Sequence, residues 1–94
     1  MKVLITDGMS KEGLSILEAA KGLELDVRKS TAKEELLEII GNYDSIIIRS
    51  ATKLTAELIN AGKNLKAIGR AGIGVDNVDV EAATKRGIVV MNTP

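Results

Sequence analysis

The stretch Ala67-Ile68-Gly69-Arg70-Ala71-Gly72-Ile73-Gly74-Val75-Asp76-Asn77 decides how the chain is read. A short apolar strand runs into a glycine-rich loop, Asp79 opens a helix that Gly87 closes, and Ile88-Val89-Val90-Met91 reads as the next buried strand. Strand, glycine loop, helix and strand form a βαβ unit, and open α/β sheets place their ligands at the carboxyl ends of such strands. Glycine suits that place because, without a Cβ, the backbone can turn tightly and approach a ligand closely.

The spacing departs from a dinucleotide-binding loop. That fingerprint is G-x-G-x-x-G at a helix start, with an acidic residue about 20 positions later. Here Gly72-Ile73-Gly74 is followed by Asn77 where the third glycine belongs, and the strand ending at Met91 offers Asn92 rather than Asp or Glu. A Walker loop fails for want of Gly-Lys-Ser/Thr. No nucleotide is expected on this loop.

Working outward, the same alternation fills the chain. Lys2-Val3-Leu4-Ile5-Thr6 has the continuous apolar centre of a strand covered on both faces. Ser10 is placed to cap a helix with Leu14, Leu17 and Ala20 on one face and Gly22 past its end. Leu23-Glu24-Leu25-Asp26-Val27-Arg28 alternates apolar and charged residues, the pattern of an edge strand. Thr31-Ala32-Lys33-Glu34 reads as a capping box before Leu36, Leu37, Ile39 and Ile40, and Gly41 stops that helix. Ser45-Ile46-Ile47-Ile48-Arg49 is the most apolar strand and belongs near the middle of the sheet. Thr55 caps a short helix with Leu54 and Ile59 at staple positions and Gly62 beyond it.

The order β-α-β-α-β-α-β-α-β predicts an α/β fold: a flavodoxin-like five-stranded parallel sheet, order 2-1-3-4-5, with four helices. The sequence stops at Asn92-Thr93-Pro94, directly after the fifth strand. The last helix, which would cover the face shared with the first, is missing from these residues. An exposed apolar patch is expected there, and with it a homo-oligomer, dimer or larger, through the uncovered sheet face.

Composition narrows the function. The 94 residues form one domain, 1–94, with 45% hydrophobic and 28% charged content. Thirteen basic and thirteen acidic residues balance to zero, which removes the electrostatic footprint of a nucleic-acid binder. Tyr43 is the only aromatic residue, so base or flavin stacking is poorly served. Cys and His are both absent, which excludes disulfides, thiol nucleophiles, imidazole bases and the usual metal sites. With no signal segment and no apolar run of spanning length, no membrane partner is expected and a cytoplasmic location is the default.

Four stretches carry a family resemblance: Arg49-Ser50-Ala51-Thr52-Lys53; Gly69 through Asp79; Ala82-Ala83-Thr84-Lys85-Arg86-Gly87-Ile88; and Asn92-Thr93-Pro94. In order and spacing, over the whole chain, they resemble the NAD-dependent D-2-hydroxyacid dehydrogenases, in particular the members that oxidise 3-phosphoglycerate for serine biosynthesis. The resemblance implies the N-terminal part of a substrate-binding domain. Asn92, Thr93 and Pro94 would be the hinge into an NAD-binding domain absent from these residues. The NAD fingerprint and the catalytic Arg, Glu and His would lie there too. No catalytic residue, metal or cofactor is therefore expected in this chain, NAD belongs to the parent enzyme, and the chain alone should not turn over.

The same resemblance assigns the substrate contacts. Gly72, Ile73 and Gly74 match the loop whose backbone N–H groups hold the substrate carboxylate, a small anion-binding concavity; a turn serving only chain reversal is the plainer alternative. Arg49 and Ser50 end the central strand and Arg70 ends its neighbour, so two fixed cations could face one phosphate. The alternative is a pair of strand-end arginines reaching into water. Thr52 and Lys53 are secondary candidates. Asp76 and Asn77 are expected to bond nearby backbone amides, and Asp7 to serve its own turn. Glu34, Glu35 and Glu38 read as a solvated helix face rather than a metal site.

Other functions on this fold lack their residues. A phospho-accepting receiver needs an Asp after the third strand and a Lys after the fifth, where this chain has Arg49 and Asn92. A flavodoxin needs a hydroxyl-rich phosphate loop and stacking aromatics. A truncated or engineered module that binds nothing remains the structural alternative to an anion-binding rim.

Overall fold

The structure is a computed structural model that describes residues 1–8, 15, 17–20, 22–28, 31–49, 51–71 and 77–93. Its strands are β1 (Lys2–Ile5), β2 (Glu24–Val27), β3 (Ser45–Ile48), β4 (Ala67–Ala71) and β5 (Val89–Thr93). They form one sheet ordered β2-β1-β3-β4-β5, every pairing parallel, as the alternation of apolar runs and capped helices predicts. Helices run over Lys33–Ile39, Ala56–Ala61 and Val80–Lys85. Ser15 and residues 17–19 are helical as well, and the Ser10 cap and Leu14 lie outside the described residues.

Two of the expected caps are present. Thr55 accepts from the Leu58 N–H at 3.4 Å and Asp79 from the Ala82 N–H at 3.0 Å. The capping box at Thr31 is not. Ala32 is the N-cap of that helix and makes no side-chain bond, while Thr31 Oγ1 is buried without a hydrogen-bond partner. The helix does not end cleanly at Gly41 but tightens into a 3-10 turn over Ile40–Asn42.

Gly87 closes the last helix in the left-handed region, with φ 71°. Its N–H bonds to the Thr84 carbonyl at 3.0 Å and the next N–H, of Ile88, to the Ala83 carbonyl at 2.9 Å. This paired closure draws Ile88 into the helix end, so β5 starts at Val89 and runs on to Thr93. Arg86 also reaches beyond its own helix, donating to the carbonyls of Ile59 and Gly62 at the end of the Ala56–Ala61 helix.

Register explains why the sheet is covered unequally. The row Leu4, Ile46, Ile68 and Val90 looks onto the three C-terminal helices, where Leu36, Ile40, Leu58, Ile59 and Ala83 complete the core. The opposite row runs Ile5, Ile47, Gly69, Met91. Its burial decays from 0% exposure at Ile5 to 53% at Met91, and Val89 on the same face is 56% exposed. The expected apolar patch is therefore present, on the β5 side of that face.

At the other edge, β2 is fastened by a polar cluster. The Tyr43 hydroxyl donates to Asp26, and the Arg28 guanidinium bridges Asp26 at 3.2 Å and Glu35 at 2.5 Å. The Tyr43 hydrogen bond, then Arg28, hold the Asp26 carboxyl below its ordinary range. Burial, then the Asp26 carboxylate, push the Tyr43 phenol up, so it stays a donor.

Because Asp26 titrates lower in the folded chain than in the unfolded one, its contribution is complete above the unfolded value of about 3.9. It is lost as pH falls through the folded value. Tyr43→Phe should lower stability by about 0.5–1.5 kcal/mol at neutral pH. In denaturant titrations across acid pH, the gap between variant and wild type should narrow as Asp26 protonates.

Candidate functional site

Parallel pairing brings every strand's carboxyl end to one rim. The β3–β4 register sets Ile48 beside Arg70, so Arg49, the next residue, stands one strand away from Arg70. Asn92 pairs with Arg70 from the other side, within β5. Arg49 is exposed and Arg70 half-buried, and both are at the rim. The glycine loop is anchored there as well, between Ala71 at the end of β4 and Asn77. Ser50, Gly72, Ile73, Gly74, Asp76 and Pro94 lie outside the described residues.

Three residues given only local or secondary parts by the sequence hold this rim together. Asp7, at the end of β1, reaches across to the loop after β3. One carboxylate oxygen accepts from the Arg49 N–H at 2.8 Å and the other from the Thr52 hydroxyl at 2.6 Å. Thr52 is buried, and its oxygen lies 3.1 Å from that of buried Thr6. Since Thr52 gives its proton to a carboxylate, Thr6 is the donor between them.

Asn77 works at long range rather than within its turn. Its side-chain NH2 donates to the carbonyls of Arg49 and Thr52 at 2.8 and 2.7 Å, and its backbone carbonyl accepts from the Leu54 N–H at 2.9 Å. Leu54 then accepts from the Asp79 N–H, closing a short parallel bridge between Leu54 and Val78. The signal for Asp7 was present in the topology. Order 2-1-3 puts the end of β1 beside the end of β3, so a short acid after β1 can bond the neighbouring loop.

Lys53 is exposed, as are Glu34, Glu35 and Glu38, and Glu35 is the acid paired with Arg28. Among the described residues no three acidic side chains gather as metal ligands would, and no helix is long and apolar enough to cross a membrane. Asn92 and Thr93 are laddered to Arg70 and Ala71. They are thus strand residues of β5, at two of the three positions expected to form the hinge.

An all-parallel sheet in the order 2-1-3-4-5, the kind of sheet whose carboxyl ends place ligands in other proteins, defines a doubly wound α/β domain. The chain belongs to a particular family of them: residues 3–94 match the D-isomer specific 2-hydroxyacid dehydrogenase, catalytic domain. It is 50% identical over its whole length to the D-3-phosphoglycerate dehydrogenase of Archaeoglobus fulgidus, and spans 18% of that protein. Among solved structures, the NAD+-bound 3-phosphoglycerate dehydrogenase of Entamoeba histolytica superimposes with a TM-score of 0.84 at 40% identity, over 100% of this chain and 33% of that one. The PH0520 protein of Pyrococcus horikoshii gives 0.90 at 37% identity, over 98% of this chain and 27% of that one.

The rim's internal bonds are open to test. Thr52→Val keeps the shape but leaves the Thr6 donor and one Asp7 oxygen without this partner in a buried setting. Loss of about 1–3 kcal/mol is expected. Guanidinium unfolding should show it as a lower midpoint with an unchanged slope.

Proposed function

We propose that this chain is the substrate-binding portion of an NAD-dependent D-3-phosphoglycerate dehydrogenase, and that its rim receives 3-phosphoglycerate. One observation carries the reading: Arg49, just past β3, and Arg70, next to last in adjacent β4, stand at the rim where the glycine loop is anchored. Guanidinium groups supply charge and paired donors for phosphate or carboxylate, and consecutive amides of the Gly72-Ile73-Gly74 loop, joined by Ser50, would take the other anionic end. A substrate held at both ends has its C2–H bond fixed in direction, which is how positioning lowers a barrier.

In the whole enzyme the C2 alcohol would be oxidised to a ketone, with NAD+ supplying the two-electron acceptor; what these residues would contribute is the grip on the two anionic ends. The residues here do not fit the nucleotide. At the third position of the fingerprint stands Asn77, whose amide is committed to the Arg49 and Thr52 carbonyls. NAD and the acid–base groups are assigned to sequence outside these 94 residues, across a hinge at Asn92, Thr93 and Pro94, and the chain by itself should not reduce NAD+. A flavodoxin-like module without a ligand is the alternative.

Calorimetric or NMR titration with 3-phosphoglycerate separates the two readings. The wild-type chain should bind in the millimolar range or tighter, and Arg49→Ala and Arg70→Ala should each weaken binding at least tenfold. No binding at millimolar ligand would leave the structural module as the better account.

The uncovered face supports a second part of the proposal. Val89 and Met91 expose apolar surface whose burial is worth about 1.5–3 kcal/mol per side chain. We assign this face to contact with a second copy when the 94-residue chain is alone. Sedimentation should show a dimer or larger, and Met91→Glu should shift it to monomer; a wild-type monomer at high concentration would refute the assignment.

A further inference from the structure

We propose that Asp7 and Asn77 are positioning residues that hold Arg49 in its binding orientation. The inference rests on the reading of the rim as an anion site and adds how that site is held in shape. The peptide groups on both sides of the Arg49 Cα are fixed. Its N–H donates to Asp7 at 2.8 Å, and its carbonyl accepts from the Asn77 amide at 2.8 Å. Fixing both leaves the side chain's own rotamers as the main remaining freedom.

The two supports come from different directions. Asp7 extends from the sheet through β1, while Asn77 stands at the end of the glycine loop. Both also hold Thr52, one through its hydroxyl and the other through its carbonyl at 2.7 Å. Asn77 therefore bonds the loop after β3 at two carbonyls, on either side of residues 50 and 51. Neither residue has to touch the substrate.

The variants separate hydrogen bonding from charge. In Asp7→Asn the amide oxygen can still accept from the Arg49 N–H, and the amide NH2 can donate to Thr52, whose hydroxyl then turns to Thr6. Asp7→Ala and Asn77→Ala remove their bonds outright. Tyr43→Phe, beside the amino ends of the strands, serves as a destabilised control remote from the rim.

Two measurements on the 94-residue chain test the inference. The first is amide hydrogen exchange without ligand. Asp7→Ala should speed exchange at Arg49 about tenfold or more while Ile46 and Ile68 keep their protection, and Asp7→Asn should restore most of it. The second is titration with 3-phosphoglycerate and with inorganic phosphate. Asp7→Ala and Asn77→Ala should raise Kd about tenfold, Asp7→Asn by less than threefold, and Tyr43→Phe not at all.

Unchanged Arg49 exchange in Asp7→Ala overturns the proposal whatever the ligand does. Faster exchange with an unchanged Kd also overturns it, since the bonds would then stabilise the loop without positioning it. A wild-type chain that binds neither ligand refutes the anion-site reading and, with it, the positioning role. Wild-type binding lost in Arg49→Ala but kept in Asp7→Ala rejects the positioning role alone.

Discussion

Everything at the rim depends on parallel pairing in the order 2-1-3-4-5. In a parallel ladder the strands point one way, so residues at their carboxyl ends converge however far apart they lie in sequence. Asp7, Arg49, Arg70 and Asn92 come from four strands or strand ends and meet along one line. An antiparallel arrangement of the same segments would have sent them alternately to opposite ends. Loops alone could bring them together, but without a rigid sheet beneath them.

Convergence is only half of a site, because backbone at strand ends has lost its ladder partners and must find others. Here the loop after β3 takes them from side chains. Asp7 receives donors and Asn77 supplies them, so an acid and an amide divide the work according to their chemistry. The same loop then joins Val78 through the Leu54 bridge, continuing the sheet's pattern for one residue beyond its edge. The result is a polar rim built on a dry core, with Ile48 and Leu54 buried directly below it.

The sheet's two faces follow different rules. Three helices close one face over a continuous cluster from Leu4 to Ile88. On the other, cover fades toward β5, leaving Val89 and Met91 in contact with solvent. Such a face is sensitive to whatever next docks on it. The polar fastening of β2 by Tyr43, Asp26, Arg28 and Glu35 keeps the opposite edge attached without further apolar burial.

Local periodicity and capping residues determined strand and helix positions, because they act within a few residues: the isoleucines of β3, Thr55, Asp79 and the φ of Gly87 are such cases. Glycine spacing and the positions of Arg49 and Arg70 marked the candidate site, and the family match covers those stretches. Thr31 misled because a capping pattern states only what a side chain could bond, and here Ala32 takes the cap position. Tertiary structure alone decided the parts of Asp7, Thr52 and Asn77. Their side-chain partners lie 25 to 46 residues away, and a hydrogen bond of that span exists only once β1, β3 and β4 stand side by side.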